Sequence, residues 1–248
     1  MKIRVGVLGA RGRMGSEVVE ALNLAPDMTL AAALDLGDSL EEILESKVDV
    51  VVDFTTPDSV MENVEFLISR GIHAVIGTTG FDEDRIQKIK ELLTKNPEVG
   101  VLVAPNFAIG AVLMMEFSRR AARYFESAEI IEFHHPEKVD APSGTSRRTA
   151  DIISQARLEA GMAPMPDATS LEHLGARGSR VGQVPIHSVR LKGLLAHQEV
   201  LFGAVGETLT IRHDSLDRKS FMPGVLTGIR EIRKHPGLIY GLEKLLDL

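Results

Sequence analysis

Short β-branched, apolar runs recur through the first hundred positions, and the stretches between them carry apolar residues three or four apart. The runs Ile3–Leu8, Thr29–Leu34, Val48–Phe54, His73–Ile76 and Val99–Ala104 read as strands. The third, Val48-Asp49-Val50-Val51-Val52-Asp53-Phe54, is nearly all apolar at its centre, as a parallel strand buried on both faces must be. Between the strands, Ser16–Leu24 is helix-compatible, and Ser59–Arg70 sets Val60, Val64, Leu67 and Ile68 along one helical face with Gly71 as a C-terminal stop. Asp82–Lys95 is acidic at its start and basic at its end, which complements a helix dipole. Strand–helix alternation of this kind predicts right-handed crossovers and a doubly wound parallel sheet, α/β in class.

After Pro105-Asn106 the pattern changes. A helix is predicted over Gly110–Phe125, a strand over Glu129–His135, and a second helix over Thr145–Ala160. Residues 161–187, rich in Gly, Pro, Ser and Ala, read as a long loop. The strands Ser188–Leu191, Gln198–Ala204 and Glu207–His213 then follow with no helix between them, so a second, α+β unit with a mixed or antiparallel sheet is expected. The tail, Lys219–Lys234 and Leu238–Leu246, reads as helical and is expected to pack back on the first unit. The predicted organisation is a domain of residues 1–107 plus 216–248 and a domain of residues 108–215.

Composition narrows the function. With 44% hydrophobic and 25% charged residues the chain is an ordinary globular protein. It has no cysteine, which excludes disulfides, zinc–thiolate sites and thiol nucleophiles, and with them the chemistry of an aspartate-semialdehyde dehydrogenase. A formal net charge of −7 argues against a nucleic-acid partner. The apolar run at Val5–Leu8 is too short for a signal peptide and no stretch is long enough to span a bilayer, so a cytoplasmic protein without a membrane partner is expected.

The first predicted strand runs into Gly9-Ala10-Arg11-Gly12-Arg13-Met14-Gly15, a G-x-x-G-x-x-G variant of the dinucleotide fingerprint placed between a strand and a helix. Glycines there let backbone N–H groups approach a pyrophosphate at the helix N-terminus. Asp35, about 20 residues further on at the end of the second strand, suits a ribose hydroxyl better than a simple turn before Gly37. These features make the predicted sheet Rossmann-like. Arg11 and Arg13 can pair with the pyrophosphate or a 2′-phosphate, so both NADH and NADPH are expected as cofactors. Gly77-Thr78-Thr79-Gly80 and Ala104-Pro105-Asn106-Phe107 follow the fourth and fifth strands, at the carboxyl ends where open α/β sheets bind ligands.

The densest polar segment runs from Glu132 to Thr145. His134, His135 and Lys138 can move protons near neutral pH, and Ser143-Gly144-Thr145 opens a helix whose N–H groups suit a carboxylate. Adjacent histidines on a strand point to opposite faces, so no metal site is expected.

The run His134-His135-Pro136-Glu137-Lys138-Val139-Asp140-Ala141-Pro142-Ser143-Gly144-Thr145 closely resembles the signature of the 4-hydroxy-tetrahydrodipicolinate (dihydrodipicolinate) reductase family. The glycine loop, the Gly77–Gly80 and Ala104–Phe107 loops and the Gly203–Asp214 stretch are similar in the same order, so the likeness covers essentially the whole chain. The resemblance implies a homotetrameric NAD(P)H-dependent reductase of diaminopimelate and lysine synthesis. Such an enzyme reduces a cyclic unsaturated imine bearing two carboxylates. It implies His134 as proton donor or acceptor, Lys138 as proton donor, and His135, Gly144 and Thr145 as substrate contacts. Gly9, Ala10, Arg11, Gly12, Arg13, Met14, Asp35, Gly77, Thr78, Thr79, Ala104, Pro105, Asn106 and Phe107 are the expected cofactor contacts. Many family members follow the acidic residue after strand two with an arginine that reads the 2′-phosphate, whereas here Leu36 follows Asp35. The alternative is a non-catalytic dinucleotide sensor of the same fold, which would not require the proton-transfer segment.

Overall fold

The structure, a computed structural model, describes residues 2–246. In chain order its elements are β1 (Ile3–Leu8), α1 (Gly15–Leu24), β2 (Met28–Leu34), α2 (Glu41–Glu45), β3 (Val50–Asp53), α3 (Val60–Ser69), β4 (His73–Ile76), α4 (Glu83–Leu93), β5 (Gly100–Val103), α5 (Ile109–Ala121), β6 (Ser127–His134), α6 (Gly144–Glu159), β7 (Ser179–Val181), β8 (Val184–Arg190), β9 (Ala196–Ala204), β10 (Glu207–Ser215), α7 (Met222–Ile232) and β11 (Gly237–Tyr240). Two compact units result, Met1–Ile109 with Arg218–Leu248, and Gly110–Asp217. Among the described residues no helix is long and apolar enough to cross a membrane.

The first unit is a six-stranded sheet in the order β11-β5-β4-β3-β1-β2, parallel throughout. Its central strands are inaccessible on both faces: Val50, Val51, Val52, Ala74, Val75 and Ile76 are all fully buried, as the apolar runs require. From β1 the chain goes to β2 on one side and returns to β3 on the other, so the strand order reverses at the carboxyl ends of β1 and β3. That reversal opens a crevice. Helix α3 closes one face through Val60, Val64, Leu67 and Ile68, all buried against the sheet.

Residues 238–246 form no α-helix, contrary to the sequence reading. Gly237–Tyr240 instead forms β11, which pairs in parallel with β5, and only a short 3-10 turn at Leu242–Leu245 follows. The spacing of Leu238, Leu242 and Leu245 mimics a helical face. The preceding Pro236 and the β-forming Ile239-Tyr240 pair favour extension, and β5 offers an edge whose backbone groups need partners.

The second unit carries a five-stranded sheet, order β10-β9-β6-β8-β7, in which β6 and β8 are parallel and the other pairs antiparallel. Alternation along β6 buries Ala128, Ile130 and Glu132 on one face, level with Val200 and Phe202 of β9. The stretch read as loop over residues 161–187 contains β7 and the start of β8. Gly182, at φ +57°, and Gln183 join them in a two-residue hairpin turn, a short-range signal hidden in a small-residue stretch. Arg157 of α6, 1% exposed, donates to the carbonyls of Phe125, Glu126 and Ala163. It thereby ties the entry to β6 to the exit from α6.

Helix α7 lies so close to the chain at Phe107 that a Cβ on Gly224 would stand 2.0 Å from the Phe107 carbonyl oxygen. Gly224→Ala is predicted to lower the unfolding free energy by about 1–3 kcal/mol, because backbone must shift to admit the methyl group. Urea denaturation measures it, and an unchanged midpoint would contradict the close approach.

Candidate active site

In the first unit a cleft of about 490 Å³ is lined by Gly9, Gly12, Asp35, Asp38, Phe54 and Asn63, among others. It sits at the carboxyl ends of β1, β2 and β3. The glycine loop is shaped by contact distances. Gly9 has φ +76°, and a Cβ there would come within 2.6 Å of the Phe54 carbonyl oxygen. A Cβ on Gly15 would meet the Gly9 carbonyl oxygen at 2.0 Å. The turn is closed by Gly12 N–H donating to the Gly9 carbonyl at 2.9 Å and Ala10 N–H to that of Leu34 at 3.0 Å. Helix α1 begins after Met14 with no side-chain cap; the Ser16 N–H is taken by the Gly12 carbonyl at 3.0 Å, and the positive end of the helix dipole still suits an anion there. A bare loop leading to an uncapped helix fits a dinucleotide pyrophosphate.

Asp35 accepts N–H bonds from Leu36 (2.8 Å) and Arg11 (2.7 Å). These bonds, Leu36 first, hold its carboxyl below the ordinary range. Asp38, not identified from sequence, accepts from the Asp35 N–H at 2.8 Å and from the Arg11 guanidinium at 3.1 Å. Arg11 thus serves to shape the Asp35–Asp38 turn while its side chain stays two-thirds exposed at 68%. Arg13 is exposed in the same loop.

The remaining predicted loops are stitched together by a residue the sequence reading passed over. Asp53 ends β3 fully buried. Its carboxylate accepts from the hydroxyls of Thr55 (2.7 Å) and Thr78 (2.8 Å), the Thr55 N–H (2.9 Å) and the Asn63 amide (2.8 Å). Thr78 is therefore buried against Asp53, whereas Thr79 is exposed. Gly77 lies beneath the Phe54 ring, where a Cβ would meet the ring edge at 2.0 Å. The Phe54 and Phe107 rings pack with centroids 5.8 Å apart. Ala104 N–H donates to the Ile76 carbonyl at 3.0 Å, Pro105 is exposed, and Asn106 accepts the Ala108 N–H at 2.8 Å. So all three predicted loops meet at one end of the sheet.

In the second unit, Glu132 and His134 lie two apart on β6 and share a face. Glu132 has no exposed surface. One of its oxygens meets His134 Nδ1, and the other accepts from Arg190 Nη2 at 2.9 Å. Arg190 also donates to the Asp140 carbonyl at 2.7 Å, and Lys138 Nζ donates to the Asp140 carboxylate at 2.6 Å. A continuous polar chain thus links His134, Glu132, Arg190, Asp140 and Lys138. Burial would raise the Glu132 pKa, but the hydrogen bonds from His134, Arg190 and Ser188 outweigh it and lower it to about 2.

His135 and Gly144 stand outside that chain. His135 Nδ1 is buried and has no hydrogen-bond partner among the described residues. Ser143 caps α6, accepting the Ser146 N–H at 3.2 Å. A Cβ on Gly144 would find nothing within 4 Å, so open space faces the first turn of α6. Behind it the Thr149 hydroxyl donates to the Thr145 carbonyl at 2.8 Å, and Gln198 donates to that hydroxyl at 2.9 Å. The sequence places Glu132 and Asp140 in the polar segment but gives no sign that Arg190, within the strand read over Ser188–Leu191, joins them. Their pairing depends on β6–β8 register, which joins positions far apart in sequence.

The family model described as the N-terminus of dihydrodipicolinate reductase matches residues 3–107, and that of its C-terminus matches residues 110–246. The 4-hydroxy-tetrahydrodipicolinate reductase of Nocardia farcinica is 60% identical over 248 residues, covering 100% of both chains. That of Streptomyces griseus is 59% identical over 247 residues, 100% of this chain and 99% of the relative. A solved dipicolinate-bound dihydrodipicolinate reductase from a Paenisporosarcina species shares 43% identity at a TM-score of 0.87, covering 99% of this chain and 100% of that one.

The buried carboxylate has a pH signature. The pKa of Glu132 is lowered on folding from 4.5 to about 2, so its contribution is complete above pH 4.5 and is lost as pH falls toward about 2. Wild-type stability is predicted to fall more steeply than that of Glu132→Gln across this window. Parallel urea-denaturation profiles of the two proteins would contradict the assignment.

Proposed function

The chain belongs to the dihydrodipicolinate reductase family, and on that premise we propose that it reduces 4-hydroxy-tetrahydrodipicolinate, through its dehydrated cyclic imine, to tetrahydrodipicolinate in diaminopimelate and lysine synthesis. The observation that carries this reading is full-length identity of 60% to a reductase of that name, with the His134–Thr145 segment built as one polar chain. NAD(P)H, a proton and the hydroxylated substrate give NAD(P)⁺, water and the reduced ring. Bound reduced nicotinamide supplies the hydride.

The chain's residues supply grip and protons. Gly9, Ala10, Arg11, Gly12, Arg13 and Met14 hold the pyrophosphate at the start of α1, and Asp35 takes the ribose. Gly77–Thr79 and Ala104–Phe107 form the rest of the cofactor surface, held in place by Asp53 and by Phe54 packing. In the second unit, Gly144 and Thr145 receive one substrate carboxylate at the N-terminus of α6, and His135 contributes a further polar contact. The Lys138 ammonium neutralises the twice-negative ring and gives up a proton as hydride arrives, with Asp140 fixing its position. His134 exchanges a proton at the same ring.

We further assign a homotetramer and a cytoplasmic location. The half-exposed face of the second sheet supports self-association: Ile131, Phe133, Val189 and Leu201 lie on it, and the Arg212 guanidinium sits 5.5 Å from the Phe133 ring centroid. Absorbance of reduced nicotinamide is predicted to fall only when the preceding synthase generates substrate in place. Cofactor binding without consumption would favour a sensor. In the same assay Lys138→Ala is predicted to lower kcat by about 10²-fold or more while cofactor affinity holds. Equal turnover in the variant would remove Lys138 from the chemistry.

A further inference from the structure

A carboxylate can only accept hydrogen bonds, and a guanidinium can only donate them. These two facts fix the proton on a histidine. Glu132 Oε2 faces His134 Nδ1, so in the neutral ring that nitrogen must carry the hydrogen. Its Nε2 then holds the lone pair, and Nε2 makes no hydrogen bond within the described residues. A neutral imidazole without such a partner would divide between its two tautomers.

We propose that Glu132 is a positioning residue that locks His134 in its Nδ1–H tautomer and so makes Nε2 the atom at which His134 exchanges a proton. The role assigned to His134 rests on the reductase reading above; the lock itself rests on geometry. Three observations carry it. Glu132 and His134 project from the same face of β6, so the pairing is set by the strand itself. Glu132 is fully buried, so water does not compete for its oxygens. Its second oxygen is engaged by Arg190 Nη2 at 2.9 Å, and that nitrogen also donates to the Asp140 carbonyl at 2.7 Å. The carboxylate therefore cannot rotate away from the imidazole without abandoning Arg190. The same guanidinium ties the lock to the loop that carries Lys138, whose Nζ is 2.6 Å from the Asp140 carboxylate. When Nε2 takes up a proton, the resulting cation already faces an anion.

Arg190 also dictates what an isosteric substitution must do. In Glu132→Gln the amide oxygen has to face Arg190, because both groups would otherwise present hydrogens. The amide NH₂ is then left facing His134 Nδ1. That nitrogen becomes an acceptor, the proton moves to Nε2, and the ring is held in the wrong tautomer with almost no change in shape.

The test is ¹⁵N NMR of the histidine rings, with the His134 signals assigned by their loss in His134→Gln, together with steady-state kinetics. In the wild-type protein His134 is expected to show the Nδ1–H pattern; an Nε2–H pattern there overturns the proposal without any variant having to fold. In Glu132→Gln the pattern is expected to reverse. Its kcat should fall by about 10²–10⁴-fold while the KM values for both substrates stay within about twofold. Adding Glu132→Gln to His134→Gln should cause no further fall, since a residue acting only through His134 loses its effect once that ring is gone. Multiplying losses in the double variant, or full kcat in Glu132→Gln alone, would refute it. Full kcat in His134→Gln would instead refute the role given to that histidine, leaving the tautomer to be judged by the spectra.

Discussion

A carboxylate sealed away from water with its donors in place organises the second unit. Burial of an unpaired charge would cost several kcal/mol, so Glu132 is tolerated only because His134, Arg190 and Ser188 surround it. The requirement runs both ways. Arg190 can reach Glu132 only if β8 pairs with β6 in the observed register, with Glu132 opposite Ser188 and His134 opposite Arg190. The polar chain thus specifies the sheet, and the sheet specifies where His134 and the loop bearing Lys138 stand.

The first unit uses the same device. Asp53 ends a strand whose other residues are valines, and its four donors come from the loop after β3, from α3 and from the loop after β4. A carboxylate at the carboxyl end of a buried parallel strand converts the rigidity of the sheet into the placement of loops. In each unit the segments proposed to meet ligand are fastened from behind by a buried carboxylate.

How far the sequence showed this depended on the range of the interaction. The parallel sheet was plain in the apolar runs around Val50, Val75 and Leu102, because burial on both faces leaves a local record. The glycine loop and the His134–Thr145 run were equally plain, being contiguous. Pairings set by distant strands were not legible. The Leu238–Leu246 stretch has helical spacing, yet its first residues belong to β11 because β5 offered an open edge. The β7–β8 hairpin turned on Gly182-Gln183 within a stretch of small residues. Asp53 reads as a polar end to an apolar strand and Glu132 as one member of a polar segment; only the fold brings Thr78 to one and Arg190 to the other.

The central claim is that the segment from Glu132 to Thr145 grips a twice-negative ring while presenting Lys138 and His134 to it. A crystal structure of the protein with NADH and pyridine-2,6-dicarboxylate tests it most directly. The account predicts one carboxylate of the ligand within about 3.2 Å of the Gly144 N–H, with Lys138 Nζ and His134 Nε2 in hydrogen-bond reach of the ring or its substituents. A dicarboxylate lodged elsewhere, with these groups turned toward solvent, would contradict it.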